Sequence, residues 1–305
     1  MPESLDQGQL EALLSVVAEG TFDAAAQALD VTPSAISQRI KGLETRVGRV
    51  LLRRTKPVTP TAAGSTLLRA ARQISAITED VLAELGDERS GSPITVPLAV
   101  NADSLATWFV EALAHAGPGL AFDLRRADQT RTAELLREGT VMAAVTASAQ
   151  PVPGCTVHRL GQMRYRPRAS AGFVRRWFAG GVTAQALSLA PVVMFDREDP
   201  LQDQYLRRRS RRRLAPPRCY VPGSTAFVQA VSRGLGWGLV PDLQADPAAG
   251  DAPLVEFDGS AHTDVPLFWQ QWARPSPALE RVSAAVRRQA SSTLRQTRVR
   301  RPGRS

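Results

Sequence analysis

The chain has 305 residues, 43% of them hydrophobic, which is too long for one small module and too apolar to remain disordered. Two or three compact units with real cores are expected. A formal net charge of +9 favours a polyanionic partner, although charge speaks to association and not to fold.

Leu10, Leu13, Leu14 and Val17 form a first apolar helical stripe, and Gly20 breaks it. Thr21 caps a second short helix, Phe22 to Leu29, and Asp30 and Val31 supply a turn. Thr32 is then a suitable N-cap, and Pro33 fits the first helical position, where its missing N–H has no intrahelical partner to lose. Ile36, Ile40, Leu43 and Val47 make one apolar stripe, while Ser34, Ser37, Gln38 and Lys41 fall on another side. The stretch alone fits an ordinary amphipathic surface helix equally well. The helix and tight turn before it favour a helix-turn-helix, whose second helix enters the major groove of double-stranded DNA. Thr21, Thr32, Pro33, Ser34, Ser37 and Gln38 are candidate DNA contacts through short polar groups, and Arg39 and Lys41 reach phosphates.

From Arg39 to Arg72 nine basic residues face one acid, Glu44, as a DNA face requires. Leu51 to Pro60 reads as a short hairpin, a wing whose Arg53, Arg54 and Lys56 lie along the backbone beside the groove. The clusters Arg159 to Arg176, Arg207 to Arg213 and Arg287 to Arg304 read as solvated faces or a frayed terminus. The DNA-binding unit is assigned to residues 1–60.

Thr61 starts a long helix that continues to about Gly86, a linker assigned to 61–88. Leu67, Ala71, Ile74, Thr78, Val81 and Leu85 alternate spacings of four and three, a seam suited to pairing with the same helix of a second chain. The alternative is a helix packed into its own domain. Asp87 to Pro93 is a polar hinge.

Beyond it the pattern becomes α/β, assigned to 93–300. The strand Ile94–Val100 feeds a helix carrying Leu105, Trp108, Phe109 and Leu113, with both aromatic residues expected in the core. Leu120 to Asp128, a helix to Glu138 and the strand Val141 to Thr146 follow. A second set begins near Pro167: strands Val192 to Asp196 and Cys219 to Val221, a helix Thr225 to Arg233, then Trp237 to Val240, Leu254 to Phe257 and Val265 to Trp272, with a final helix after Pro275. Two lobes with a cleft between them are expected, because strand ends and helix N-termini converge there.

Cys155 and Cys219 form no CxxC pair, and His115, His158 and His262 stand apart. Catalytic and metal roles, a cofactor and a disulfide framework are therefore not expected. With no leader pattern and no apolar run of roughly 20 residues, a cytoplasmic protein without membrane contact is expected.

The motifs Gly20-Thr21-Phe22-Asp23-Ala24-Ala25-Ala26, Thr32-Pro33-Ser34-Ala35-Ile36-Ser37-Gln38-Arg39-Ile40, Leu43-Glu44 and Thr61-Ala62-Ala63-Gly64-Ser65-Thr66-Leu67-Leu68 resemble the signature of the LysR-type transcriptional regulators. The resemblance covers essentially the whole chain. Arg54-Thr55-Lys56-Pro57, the segment Val100 to Phe109 and Pro153-Gly154-Cys155 are most similar to the LysG/ArgP group of lysine and arginine export regulators. This implies an N-terminal winged helix-turn-helix, a dimerising linker helix and a periplasmic-binding-protein-like effector domain. Lobe I would hold about 93–165 plus 266–300, and lobe II about 166–265. It further implies a homodimer assembled into a tetramer, recruitment of RNA polymerase at an exporter promoter, and L-lysine or L-arginine as effector.

For such a ligand, free amides near Ser104 with its hydroxyl, and Thr225 on a second helix, are candidates for the carboxylate. Asp103, Asp128, Asp199 and Asp203 are candidates for the cationic end, each equally readable as a surface acid or cap. Asn101 and Thr146 complete the set. A LysR-type regulator with another effector, or a replication-origin or nucleoid-binding protein, are the competing readings. A solute-binding protein or α/β enzyme leaves the helix-turn-helix without a role.

Overall fold

The computed structural model describes residues 6–84, 93–127, 129–245 and 253–296. Three helices open the chain: α1 (Gln7–Glu19), α2 (Phe22–Ala28) and α3 (Pro33–Val47). Each starts at a side chain that accepts a first-turn N–H. Asp6 accepts from Gln9, Thr21 from Ala24 and Thr32 from Ala35, satisfying donors that a helix start leaves free. Leu13, Val16, Ala25, Ile36, Ile40 and Leu43 meet in one core. Val47, placed by its spacing on the same stripe, is exposed instead.

A two-stranded hairpin follows, β1 (Leu52–Arg53) against β2 (Thr59–Pro60). Glu44 Oε1 accepts the N–H groups of Leu51 (2.8 Å) and Leu52 (3.4 Å). The lone acid of the basic segment thus ties α3 to the root of the hairpin. At the other end Val58 N–H donates to Gly20 O at 2.8 Å, and the Arg54 guanidinium lies over the Phe22 ring.

The linker helix α4 (Ala62–Glu84) is capped by Thr61, whose hydroxyl accepts from Gly64 N–H and donates to Val50 O. Leu68 packs into the N-terminal core, and Ala76 joins the core of the C-terminal region. The seam read from the sequence is therefore divided. Ala71 is buried within its own chain, whereas Ile74 and Ile77 stay 48% and 45% exposed. Leu85 lies outside the described residues, as do Asp87 to Ser92 of the hinge. Arg69 and Arg72, counted with the basic segment in the sequence, instead face the C-terminal region, donating to Pro153 O and Glu138 O.

The C-terminal region begins with β3 (Ile94–Val100), the short α5 (Ala102–Ser104), a π-helical turn (Leu105–Phe109), α6 (Val110–Ala114), β4 (Leu120–Arg126), α7 (Gln129–Arg137) and β5 (Ala143–Thr146). β3 lies parallel between β4 and β5. It continues through β6 (Cys155–Ser170), α8 (Ala171–Trp177), α9 (Ala184–Leu189), β7 (Val192–Met194), α10 (Leu201–Arg209) and β8 (Arg218–Tyr220). Then come α11 (Ser224–Ser232), β9 (Gly238–Pro241), β10 (Leu254–Glu256), β11 (Thr263–Trp272) and α12 (Pro277–Thr293). The main sheet runs β10-β6-β11-β5-β3-β4 with β9 also on β6, and β7-β8 form a separate parallel pair. Trp108 and Phe109 are buried in the core.

β6 and β11 run side by side from Tyr165 opposite Thr263 to Cys155 opposite Trp272. At about 3.3 Å per residue the 16 residues of β6 span roughly 50 Å, enough to pass through both halves of the region. Their register shifts between Leu267 and Phe268, beside Gly161 (φ +144°), where a Cβ would sit 2.8 Å from Leu294 Cβ.

β6 is not legible in the sequence, because Gly161, Pro167 and a run of arginines mask the alternation. Of the cluster read as a solvated face, Arg159, Arg175 and Arg176 are exposed, but Arg164, Arg166 and Arg168 are not. Arg164 forms a two-point pair with Asp264 at 2.7 Å, Arg166 contacts Asp242 and Glu256, and Arg168 contacts Asp242. In contrast, Arg207, Arg211, Arg212 and Arg213 are exposed.

Gly64 sits so close to the wing root that a Cβ would lie 2.0 Å from Leu51 O. Gly64→Ala is expected to cost about 1–3 kcal/mol, as overpacked sites do. Chemical denaturation should show the loss in the N-terminal unit, and an unchanged midpoint would contradict this packing.

Candidate functional site

On α3 the core positions Ile36, Ile40 and Leu43 point inward. The opposite side carries Ser34, Gln38, Lys41 and Thr45, all exposed, with Ser37 half-buried beside them. Thr32 and Pro33 stand exposed at its start, and Thr21 at the start of α2. Arg53, Arg54 and Lys56 are exposed on the wing. Arg39 differs, because its guanidinium lies against the first turn of α1 near Gly8. Helix geometry sets it off the outward stripe, about 100° from Gln38.

A second site is a cavity of about 960 Å³ in the C-terminal region. Its lining comes from the β3–α5 turn, α7, the loop after β5, and the segment from β7 into α10, with Tyr165 and Gln270 from the two long strands. Four carboxylates line it: Asp103, Asp196, Glu198 and Asp199. Arg126 and Arg131 are the lining cations. Arg126 donates to Pro222 O (3.2 Å), and Arg131 pairs with Glu134 (2.9 Å).

Asp103 Oδ2 accepts from the Tyr165 hydroxyl (2.7 Å) and Oδ1 from Ser224 Oγ (2.6 Å). Burial and the adjacent Asp103 charge hold the Tyr165 phenol protonated, well above its usual range. Asp196 Oδ1 accepts the N–H groups of Glu198 and Asp199, and Asp199 Oδ1 accepts from Leu201 N–H. Burial, with Asp196, Asp103 and Asp203 nearby, pushes the Asp199 carboxyl up to about 6, against the pull of the Leu201 N–H. Three further buried oxygens of the lining have no hydrogen-bond partner: Asn101 Oδ1, Thr132 Oγ1 and Gln202 Oε1. A buried acceptor without a donor costs free energy.

Of the residues expected at this site, Asn101, Asp103, Thr146 and Asp199 line the cavity. Ser104 does not: it is wholly buried, turned into the core by the rotation of one residue per 100° along its helix. Asp203 is drawn away by Arg218, which bonds both carboxylate oxygens (2.6 and 3.1 Å) and holds the acid below its usual range. Thr225 is exposed, and the neighbouring Ser224 takes the inward place. Asp128 lies outside the described residues.

Among the described residues no group of three or more His, Cys, Asp or Glu side chains is placed to hold a metal, and both cysteines are free. No helix among them is long and apolar enough to cross a membrane.

Residues 8–65 match the model for the bacterial regulatory helix-turn-helix proteins of the lysR family, and residues 95–291 match the LysR substrate-binding domain. The chain belongs to the LysR family. Its similarity to other members is near full length. The HTH-type transcriptional regulator LysG of Mycobacterium tuberculosis is 47% identical over 300 residues, 98% of each chain. The crystal structure of ArgP from the same species superposes with a TM-score of 0.87 at 46% identity, covering 96% of this chain and 100% of that one. Full-length LysG from Corynebacterium glutamicum with bound effector Arg gives a TM-score of 0.78 at 38% identity, covering 95% and 99%. The chain is thus a LysR-type transcriptional regulator and not an enzyme. LysR regulators bind DNA and form oligomers.

In this LysR-family chain the lining residues missed from sequence include Asp196, Glu198, Gln202, Thr132, Arg126 and Tyr165. The Asp196-Arg197-Glu198-Asp199 run was the available signal, since three acids at the end of a strand precede a helix start.

Between the unfolded value of 3.8 and about 6, the folded Asp199 holds a proton that the unfolded chain releases. Its contribution therefore falls as pH rises through that window and is unfavourable above it. Asp199→Asn, which keeps an acceptor for Leu201 N–H, should stabilise the protein by roughly 1–3 kcal/mol at pH 7.5. The gain should vanish below about pH 4. Thermal melts of both proteins across pH would show a gain independent of pH if burial of this charge were not the cause.

Proposed function

We propose that this regulator senses L-lysine or L-arginine in the acid-lined cavity and controls transcription of an amino-acid exporter gene. The observation that carries the reading is four carboxylates lining one cavity. A ligand rich in N–H donors and positive charge satisfies them, and a guanidinium or ammonium has both. Arg126, a lining cation at the end of β4, suits the ligand carboxylate. The Arg-bound LysG relative supports the choice of ligand class.

In this reading lobe I comprises about 93–165 plus 266–300 and lobe II about 166–265, so that the cavity lies between lobes. Asn101, Asp103, Thr146 and Asp199 contact the effector. Ser34, Ser37 and Gln38 face base edges. Thr21, Thr32, Pro33, Arg39 and Lys41 flank them, and Arg53, Arg54 and Lys56 hold phosphates beside the groove. Ile74 and Ile77, exposed on α4, contribute to a homodimer through the linker helix, and two such dimers form a tetramer. Ligand-dependent change in that assembly alters DNA geometry and RNA polymerase recruitment, which requires unequal ligand affinity for the two arrangements.

Calorimetric titration with L-arginine and L-lysine tests the ligand. Both are expected to bind about tenfold more weakly at pH 5 than at pH 7, because a cation binds the ionised Asp199, whose carboxyl titrates at about 6. Asp199→Asn should flatten that dependence. Absence of heat from both amino acids removes them as effectors.

On the DNA side, Gln38→Ala should relax sequence preference, with losses of about 1–3 kcal/mol on the selected site and little on random DNA. Arg54→Ala should weaken binding to all sequences alike and lower the salt slope by about one. Equal effects of both changes on selected and random DNA would refute this division.

A further inference from the structure

Two arginines of the linker helix touch neither the cavity nor the outward face of α3. Arg69 Nη1 donates to Pro153 O (2.7 Å) and Arg72 Nη1 donates to Glu138 O (3.0 Å). Both acceptors end segments that form the cavity wall. Pro153 directly follows the lining residue Val152, in a loop that also contributes Ser148 and Gln150. Glu138 lies two residues beyond the lining residue Leu136, at the end of α7, which also contributes Arg131, Thr132 and Ala133.

The fit around Arg69 is close on both sides. Gly139 (φ +68°) and Gly154 (φ +81°) make the two turns, in a left-handed conformation that favours glycine. A Cβ at Gly139 would lie 2.9 Å from Arg69 Cα, and one at Gly154 would lie 3.0 Å from its guanidinium carbon. The loop is held from its other side as well. Gln270 Nε2 donates to Ser148 O and Gln150 O, its Oε1 accepts from Val152 N–H, and Ala273 N–H donates to Gly154 O. The 148–154 loop that Arg69 contacts is therefore tied to β11 and the residue after it.

We propose that Arg69 and Arg72 are positioning residues that convert occupancy of the cavity into displacement of the linker helix. They read the ends of α7 and of the 147–153 loop and pass a shift of either to α4. From α4 it reaches the wing through Gly64 packed on Leu51. The inference rests on the cavity being the effector site. Its chemistry is charge-assisted hydrogen bonding to backbone carbonyls, so no side chain of the wall is required to change its own bonding for the signal to leave the cavity. Only contacts that differ between the liganded and unliganded arrangement transmit anything.

The test uses full-length protein with Arg69→Met, Arg72→Met and both together, and a DNA site selected by the wild-type chain from random sequence. L-arginine is the probe. The wild-type ratio of DNA affinities with and without L-arginine is expected in the range of about 5–150-fold that such couplings show. In the double variant the ratio should approach one, while calorimetric L-arginine affinity stays within about threefold of wild type and Gln38-dependent sequence preference is retained. A wild-type ratio in the double variant overturns the proposal. If wild-type protein takes up no L-arginine, the ligand reading fails on that measurement alone. The linkage itself is then decided by hydrogen exchange: amides of 136–141 and 150–155 should exchange faster in the double variant than in wild type, and unchanged protection overturns it.

Discussion

The antiparallel pairing of β6 with β11 is the constraint on which the rest of the C-terminal region depends. Two strands of 16 and 10 residues hydrogen-bonded over most of their shared length resist shear between them. Elements attached at opposite ends can still rotate about them. The cavity takes Tyr165 from one strand and Gln270 from the other, so part of its lining stands on this pair. At one end, Trp272 N–H donates to Met142 O and Ala273 N–H to Gly154 O, anchoring the turn that Arg69 grips. At the other, Arg164, Arg166 and Arg168 bind Asp264, Asp242 and Glu256. These ion pairs are half-buried or more, so salt screens them less than exposed pairs.

The cavity concentrates negative charge against its own stability. Asp199 is raised to about 6 by burial and by its acidic neighbours, and two amide oxygens remain without donors. Groups arranged this way destabilise the unliganded protein, and the clustered acids favour a ligand that supplies positive charge. Asp103 has a different role. Its two oxygens already take hydroxyl donors from Tyr165 and Ser224, joining the β3–α5 turn to the start of α11. It is a link across the cavity as well as a charge within it.

The N-terminal unit solves the opposite problem, because its surface must stay polar and basic while only a small core holds it together. The single acid of the segment, Glu44, serves the fold by accepting wing-root amides, which leaves the outward face of α3 free of negative charge. The linker helix then faces two ways. Leu68 and Ala76 bury themselves in the cores at either end, and Ile74 and Ile77 remain on the free side.

The helix-turn-helix, the wing and the linker were legible in the sequence because their signals are local. Caps at Thr21, Thr32 and Thr61, a proline at the first helical position and apolar spacings of three and four act within a few residues of chain. The β3 strand and the alternation after it were legible for the same reason. What only the tertiary structure decided were partnerships between residues far apart in the chain. No local pattern shows that Asp203 belongs to Arg218, that Ser224 and not Thr225 turns toward Asp103, or that Arg69 and Arg72 point away from DNA. The β6 strand, with its arginines, glycine and proline, is a strand because β11 and the acids of Asp242, Glu256 and Asp264 come to meet it. Charge in a sequence has a position but no partner, and folding assigns the partner.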